Sequence, residues 1–503
     1  MTSSEAANRA PARESVNLPG LLVALAALVI VMLLPRPEGL PVAGQIMLGL
    51  LLFSVILWVT EAVDYAISAA LITALMAFLL GLAPNAAKPA AVLGTGPALT
   101  LAMGGFANTA LALVAAACFL SAAMTITGLD KRIALFILSR VGARTNRVLI
   151  GAILVGIVLS FLVPSTTARV ACLVPIIMGI ILAFGVDQRS RFAGMLMIAT
   201  AQSASIWNVG VKTAAAQNMV AIGFIEKAFG QSITWLDWLI AAAPWAILMS
   251  IALYFVMIRM MPPETREIAG GKQTIHLALH ALGPMTGAEK RLLIITLALL
   301  GFWATEKVLH PFDTASTTIA AIALMFTPGI GVMGWKQAQS RIPWGTIVLF
   351  GTGISLGTAL LQTKAAAWLA SIIVAHLGLA GASAFVILAL LSLFLIVVHL
   401  GFASATALAS AMIPIMISVL QQIAGGPDAA PLNLIGMVML LQFVVSFGFI
   451  LPVNAPQNMV AYGTDTFTVR DFVRTGLVLT VIGYGLVLLL GATYWQWMGY
   501  LTK

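Results

Sequence analysis

Charge is what these 503 residues have least of. Asp, Glu, Lys and Arg together make up 9% of the sequence, while 61% of it is hydrophobic; soluble proteins carry about 25% charged residues. So few charges cannot cover a water-facing surface, and lipid has to face most of the chain. The same shortage excludes intrinsic disorder, a coiled coil and nucleic-acid binding. Only two cysteines occur, Cys118 and Cys172, both in apolar runs. That excludes a disulfide framework, no Cys/His spacing resembles a metal site, and each reads as a small core residue. No Gly-x4-Gly-Lys-Ser/Thr loop is present, which argues against ATP-driven pumping. Of five histidines, only His399 falls at membrane depth near a serine. No Gly-x-Ser element accompanies it, so an intramembrane hydrolase, or any enzyme, is not expected.

What is there is length without polarity. Apolar stretches of about 17–25 residues place spans near 20–35, 43–60, 65–84, 108–127, 192–225, 236–258, 292–310, 314–333, 345–362, 432–461 and 475–498. The run 21–34 lacks a cleavage site and reads as a retained first span rather than a signal peptide. Two stretches, 148–184 and 383–421, are too long for one crossing and break in the middle at Pro or Ser/Thr. They read as re-entrant hairpins. The expected fold is an all-α polytopic membrane protein with about 11 transmembrane helices plus two re-entrant hairpins.

The basic residues orient this layout. The net charge of +9 comes from 26 Lys and Arg against 17 Asp and Glu. With the N-terminus inside, 18 of the 26 fall on the cytoplasmic side, including Arg9, Arg13, Arg266 and Lys272, and six on the other, including Lys88 and Lys503. That asymmetry satisfies the positive-inside rule and puts the C-terminus outside, in what is expected to be a bacterial inner membrane. The remaining two, Arg169 and Lys212, lie at membrane depth. The expected organisation is a tail and first helix (1–42), a first repeat (43–258), a cytoplasmic linker (259–291) and a second repeat (292–503).

The repeat is legible directly. Gln217-Asn218-Met219-Val220-Ala221 recurs as Gln457-Asn458-Met459-Val460-Ala461, and Ser165-Thr166-Thr167-Ala168 is matched by Ser404-Ala405-Thr406-Ala407. Five expected crossings separate each element from its mate, so the two halves are inverted in topology. Inverted repeats belong to secondary transporters, whose sites lie between the halves where helices are broken. Ser165, Thr166, Thr167, Ser404 and Thr406 stand where helices restart, and a free helix N-terminus with hydroxyl caps suits an anion. Two such termini suit a ligand with two negative groups. Pro452 and Pro456 force the span 432–461 to unwind, which places Asn454, Ala455 and Pro456 at the site; Asn208–Gln217 is the matching break in 192–225. Carbonyls freed at the breaks suit a hard cation such as sodium.

Ionisable residues at depth are functional candidates. Arg169, Lys212 and His399 are there, and no Asp or Glu is expected beside them. Cations without carboxylates favour an anionic substrate over a proton relay. Lys212 is expected either to meet substrate or to replace a coupling cation, and His399 to pack by hydrogen bonds or to confer pH sensitivity. The expected partners are a small anionic substrate and the lipid bilayer. No cofactor is expected, with Na+ the one candidate coupling ion. An inorganic oxyanion such as sulfate and, at a further remove, an anion channel are the alternative functions.

At these residues the chain resembles the divalent anion/sodium symporter (DASS) family over almost everything after residue 45. Trp58-Val59-Thr60-Glu61-Ala62 and Ile342-Pro343-Trp344-Gly345-Thr346-Ile347-Val348-Leu349-Phe350-Gly351 look like two of its signatures. Leu451-Pro452-Val453-Asn454-Ala455-Pro456-Gln457-Asn458 is similar to its second unwound segment. Pro164–Arg169 and His399–Ala407 look most like the citrate/succinate antiporter and plastid 2-oxoglutarate/malate translocator branch. The resemblance implies a homodimer working as an elevator, with succinate-, malate- or citrate-like anions held by the hairpin tips. It also implies sodium sites beside the tips in symporting members, here Ser165, Thr166, Ala214, Ser404, Ala405 and Asn454. Ser165 and Thr167, and Ser404 and Thr406, match the family's Ser-Asn-Thr tips, but the middle Asn is Thr166 in one and Ala405 in the other. That departure leaves both sodium symport and sodium-independent exchange open.

Overall fold

A chain that must satisfy its backbone polar groups away from water folds as helix. In the computed structural model, which describes residues 17–85, 88–142, 144–183, 185–264, 271–426 and 431–502, helix is nearly all there is. Pro84–Asn85 paired with Lys88–Val92 is the one strand pair among the described residues. Arg9 and Arg13, the linker piece 265–270 with Arg266, and Lys503 lie outside them.

Seven described helices are long and apolar enough to cross a bilayer, among them Val42–Val59, Thr109–Thr127, Trp235–Met260 and Trp344–Gln362. Large apolar side chains stand on their outer faces and on those of neighbouring helices, including Phe255, Ile294 and Val481, each more than 60% exposed. A water-facing surface would not carry so many, and lipid accommodates them. The chain is an all-α polytopic membrane protein.

Each expected hairpin is a pair of helices meeting at a short non-helical tip. Thr145–Leu162 ends because Pro164 forces Val163 into extended geometry (φ −119°, ψ 101°). Thr166–Ala183 then begins beneath Ser165, whose hydroxyl accepts from the Ala168 N–H at 3.4 Å. In the second hairpin Ala384–His399 is followed by Ala405–Ala424, with Ser404 as N-cap accepting from the Ala407 N–H at 3.4 Å. The two second arms carry a proline at matching places, Pro175 and Pro414.

The broken helices match as closely. Arg191–Gly210, the turn Lys212–Ala214 and Ala216–Phe229 form the first; Leu434–Val445, Pro452–Asn454 and Pro456–Tyr462 form the second. Ala215 and Ala455, the residues before each restart, have nearly identical backbones (φ −147°, ψ 143° and φ −153°, ψ 138°). The Asn218 amide donates to the Asn208 carbonyl at 2.7 Å, and the Asn458 amide to the Gly448 carbonyl at 2.8 Å. These two asparagines brace the breaks rather than face a ligand. Helix Val469–Ala492 lies directly against the second break, where a Cβ on Gly476 would collide with the Phe449 carbonyl, so only glycine fits.

Bonds between connections fall into two sets. Arg132–Glu289, Gln188–Thr464 and Arg191–Glu264 join segments at one end of the helices. Thr109–Glu226, Lys307–Ser232 and the Leu432–Thr502 bridge join segments at the other. Among the described helices, Thr95–Met103, Leu129–Val141 and Ala365–His376 lie outside the expected spans. All fall short of the roughly 20 residues a crossing needs. The connection 259–291 is also more than a linker: Gly271–Ala281 is helical and packs on Leu129–Val141 and Thr166–Ala183.

Candidate functional site

Both tips and both breaks converge on one cavity of about 310 Å³, at the small end of the roughly 300–1,000 Å³ of ligand pockets. Ser165, Thr166 and Thr167 line it from the first hairpin and Ser404, Ala405 and Thr406 from the second. The breaks add Thr213, Ala215, Ala216 and Gln217 on one side and Ala455, Pro456 and Gln457 on the other. Two helix N-termini therefore point into a shared space. No Lys, Arg, Asp or Glu lines it among the described residues. Hydroxyls, amides and free backbone N–H groups are what the cavity offers an anion.

Four of the expected site residues stand behind this wall. Arg169 is fully buried, and its guanidinium donates to the carbonyls of Val163 (2.8 Å), Ala214 (2.9 Å) and Ala204 (3.3 Å) and to Asn208 Oδ1 (2.6 Å). It reaches the cavity through two lining residues, Asn208 and Thr166; the Thr166 hydroxyl donates to Asn208 Oδ1 at 2.7 Å and accepts from Arg169 Nη2 at 3.4 Å. Ala214 contributes its carbonyl to the guanidinium, not a surface to the cavity. Asn454 donates to the carbonyls of His399 (3.0 Å) and Phe402 (2.9 Å). Phe402 lies 239 residues after Val163, so Arg169 and Asn454 do the same job in the two hairpins: each ties the carbonyl before a tip to the adjacent break.

Lys212 is the clearest departure from expectation. Its side chain leaves the break away from the cavity and lines a second cleft with Glu226, Glu306, Lys307 and Asp313. Lys212 Nζ donates to the Ile233 carbonyl at 2.7 Å and to Thr314 Oγ1 at 3.4 Å, and Thr314 donates to Glu306 Oε2 at 2.7 Å. Glu306 is only 4% exposed, so a carboxylate does accompany a buried cation. Sequence distance hid it. His399 is buried, and neither ring nitrogen has a partner among the described residues.

Other cavity residues went unseen. Tyr65, whose phenol meets the Ser404 hydroxyl, Val114, Cys118, Pro343, Thr346 and Leu349 form the opposite wall. Pro343 and Thr346 stand in a recognised signature, which was the available signal. Gln217 and Gln457 reach across the midline: Gln217 Nε2 donates to Ser446 Oγ at 3.3 Å, and Gln457 Nε2 to Ser205 Oγ at 3.1 Å. Gln202 and Gln442 cross in the same reciprocal way, to the Phe449 carbonyl and to Asn218 Oδ1.

Residues 15–501 match the sodium:sulfate symporter transmembrane region, nearly the whole chain. The chain belongs to the divalent anion/sodium symporter family. It is a membrane transporter of a family that handles small anions, not an enzyme. A membrane protein of Cupriavidus necator is 56% identical over 96% of this chain and 93% of its own. The sodium-dependent dicarboxylate transporter SdcS of Staphylococcus saprophyticus is 26% identical (94% and 90% covered). A citrate/succinate antiporter of Escherichia coli is 25% identical (94% and 97%). The crystal structure of the Alcanivorax borkumensis YdaH transporter shares the fold, with a TM-score of 0.54 at 15% identity over 87% of this chain and 98% of that one.

Proposed function

We propose that the protein exchanges small di- or tricarboxylates across the membrane without sodium. One observation carries this reading: the oxygens that a hard cation would need at the first break are already held by a guanidinium. Val163, Ala204 and Ala214 carbonyls and Asn208 Oδ1 all accept from Arg169. Those oxygens, already engaged by a fixed cation, are not free to hold a sodium ion. At the second break the Asn454 amide takes the His399 and Phe402 carbonyls in the same manner. An anion entering the cavity then meets Ser165, Thr167, Ser404 and Thr406 with the N–H groups behind them, while Arg169 supplies positive charge one hydrogen bond back.

In this reading the two repeats are inverted in the membrane, spanning 43–258 and 292–503 with 259–291 between them on the cytoplasmic side. The hairpins enter from opposite faces without crossing, and the remaining spans make eleven crossings with the C-terminus outside. Tyr65, Pro343 and Thr346 then belong to the cytoplasmic ends of their helices, so this conformation opens inward. Transport proceeds by an elevator movement within a homodimer of the bacterial inner membrane.

Proteoliposomes loaded with succinate test the coupling. Labelled succinate uptake should need the internal anion and be unchanged when sodium is replaced by choline. Uptake that follows a sodium gradient into empty vesicles would overturn exchange. Competition by succinate, malate, citrate and sulfate fixes the class; inhibition by sulfate alone would favour the oxyanion reading.

A further inference from the structure

The cleft behind the first break is separated from the substrate cavity by a single unwound segment. Thr213 lines the cavity and its neighbour Lys212 lines the cleft, and Met219 faces both. Lys212 is 3% exposed and Thr314 2%. The segment carrying Lys212 belongs to a broken helix packed on the first hairpin, whereas Glu306 and Thr314 sit in the turn joining Gly287–Ala304 to Thr314–Phe326, helices that pack on each other and on Thr109–Thr127. The same turn reaches back a second time: the Trp235 N–H donates to Glu306 Oε2 at 3.3 Å, and Trp235 Nε1 donates to Thr213 Oγ1 at 3.2 Å. Glu306, Thr314, Lys212 and Trp235 thus enclose the unwound segment from the side opposite the cavity mouth.

We propose that Lys212, Thr314 and Glu306 form a releasable latch that positions the first unwound segment and holds the cavity shut toward the 305–314 turn. The proposal rests on the alternating-access reading above, since a movement that opens the cavity at that end has to part Lys212 from Thr314. A hydroxyl between the two charges suits such a role. It accepts from the ammonium and donates to the carboxylate, so the tie opens by separating two long bonds, Lys212 to Thr314 at 3.4 Å and the Trp235 N–H to Glu306 at 3.3 Å, while Thr314 stays paired with Glu306. A direct buried ion pair would be costlier to part, because both charges would be left unpartnered.

Cys118, in the cavity wall, supplies the readout in a Cys172→Ser background. Membrane-impermeant maleimide is applied to the full-length protein in right-side-out and in inside-out vesicles. Thr314→Val removes the bridging hydroxyl without changing charge or shape. It should raise the outside-to-inside ratio of Cys118 labelling about fivefold, the factor one net hydrogen bond supplies. The double variant Lys212→Met with Glu306→Gln, which leaves no lone buried charge, should shift the ratio the same way, and Lys212→Arg should restore part of it. A Thr314→Val protein that still exchanges succinate but labels with the wild-type ratio would overturn the latch. Failure of the wild type to exchange any anion would instead count against the transport reading, and leave the labelling ratio to judge the latch separately.

Discussion

Replacing Arg169 by Met removes a buried charge and its bonds to four oxygens, of which Asn208 Oδ1 keeps the Thr166 hydroxyl as a donor. Three of the bonds lost are at 2.6–2.9 Å. At about 1.5–3 kcal/mol for each hydrogen bond to a charged group, the three together bound the loss at about 4.5–9 kcal/mol. That rivals the whole stability of a typical domain, about 5–15 kcal/mol. Arg169→Met should therefore lower the melting temperature steeply in detergent and fail to bind substrate. Arg169→Lys keeps the charge but has three donors on one nitrogen, not a planar fork, so it should recover part of the stability. Arg169→Ser opens a space ringed by the same four oxygens, and added sodium or lithium should stabilise it while leaving the wild type unchanged. Thermal unfolding monitored by size-exclusion, with and without each cation, reads all three. An Arg169→Met protein as stable as the wild type and equal in succinate affinity would refute the clamp, and with it the reason for expecting sodium-independent exchange.

Thr167→Ala and Thr406→Ala should each weaken succinate binding by about 1–3 kcal/mol, the cost of a buried hydrogen bond left unmade; wild-type affinity in both would remove the tips from the site. Gly476→Ala should destabilise by about 1–3 kcal/mol as an overpacked contact, because the Phe449 carbonyl has nowhere to go; thermal unfolding checks it. At the head of Gly287–Ala304, burial pushes the Glu289 carboxyl up, but Arg132 and the Thr286 donors outweigh it and hold it below the ordinary range. A depressed carboxylate stabilises the fold above its unfolded pKa of about 4.3, and that contribution is lost as pH falls through the folded value. Glu289→Gln should thus flatten the acid limb of a melting-temperature profile; an unchanged limb would remove Glu289 from acid sensitivity.

The breaks were legible because they are written in residue types: Pro164 follows a helix end, Pro452 and Pro456 open the turn and the helix after the second break, and Ser165 and Ser404 start helices. The repeat was legible because Gln-Asn-Met-Val-Ala recurs at two breaks whose backbones are nearly identical. What Arg169 holds was not, since three of its acceptors are carbonyls, which every residue carries and no letter marks. Lys212 was misplaced for a different reason: its partners, Thr314 and Glu306, lie about a hundred positions away in another helix pair. Tyr65 escaped because it enters the cavity from a helix end whose sequence reads as ordinary boundary. The short helices Leu129–Val141 and Ala365–His376 fell below the length that apolar runs reveal.

The four crossed glutamines carry a mechanical consequence. Gln217, Gln457, Gln202 and Gln442 stitch the two broken helices together in both directions, each from its own half to the other. Such a seam resists shear and splaying alike, so the paired breaks are held as one unit rather than as two separate jaws. Strain placed on one break is thereby shared with the other.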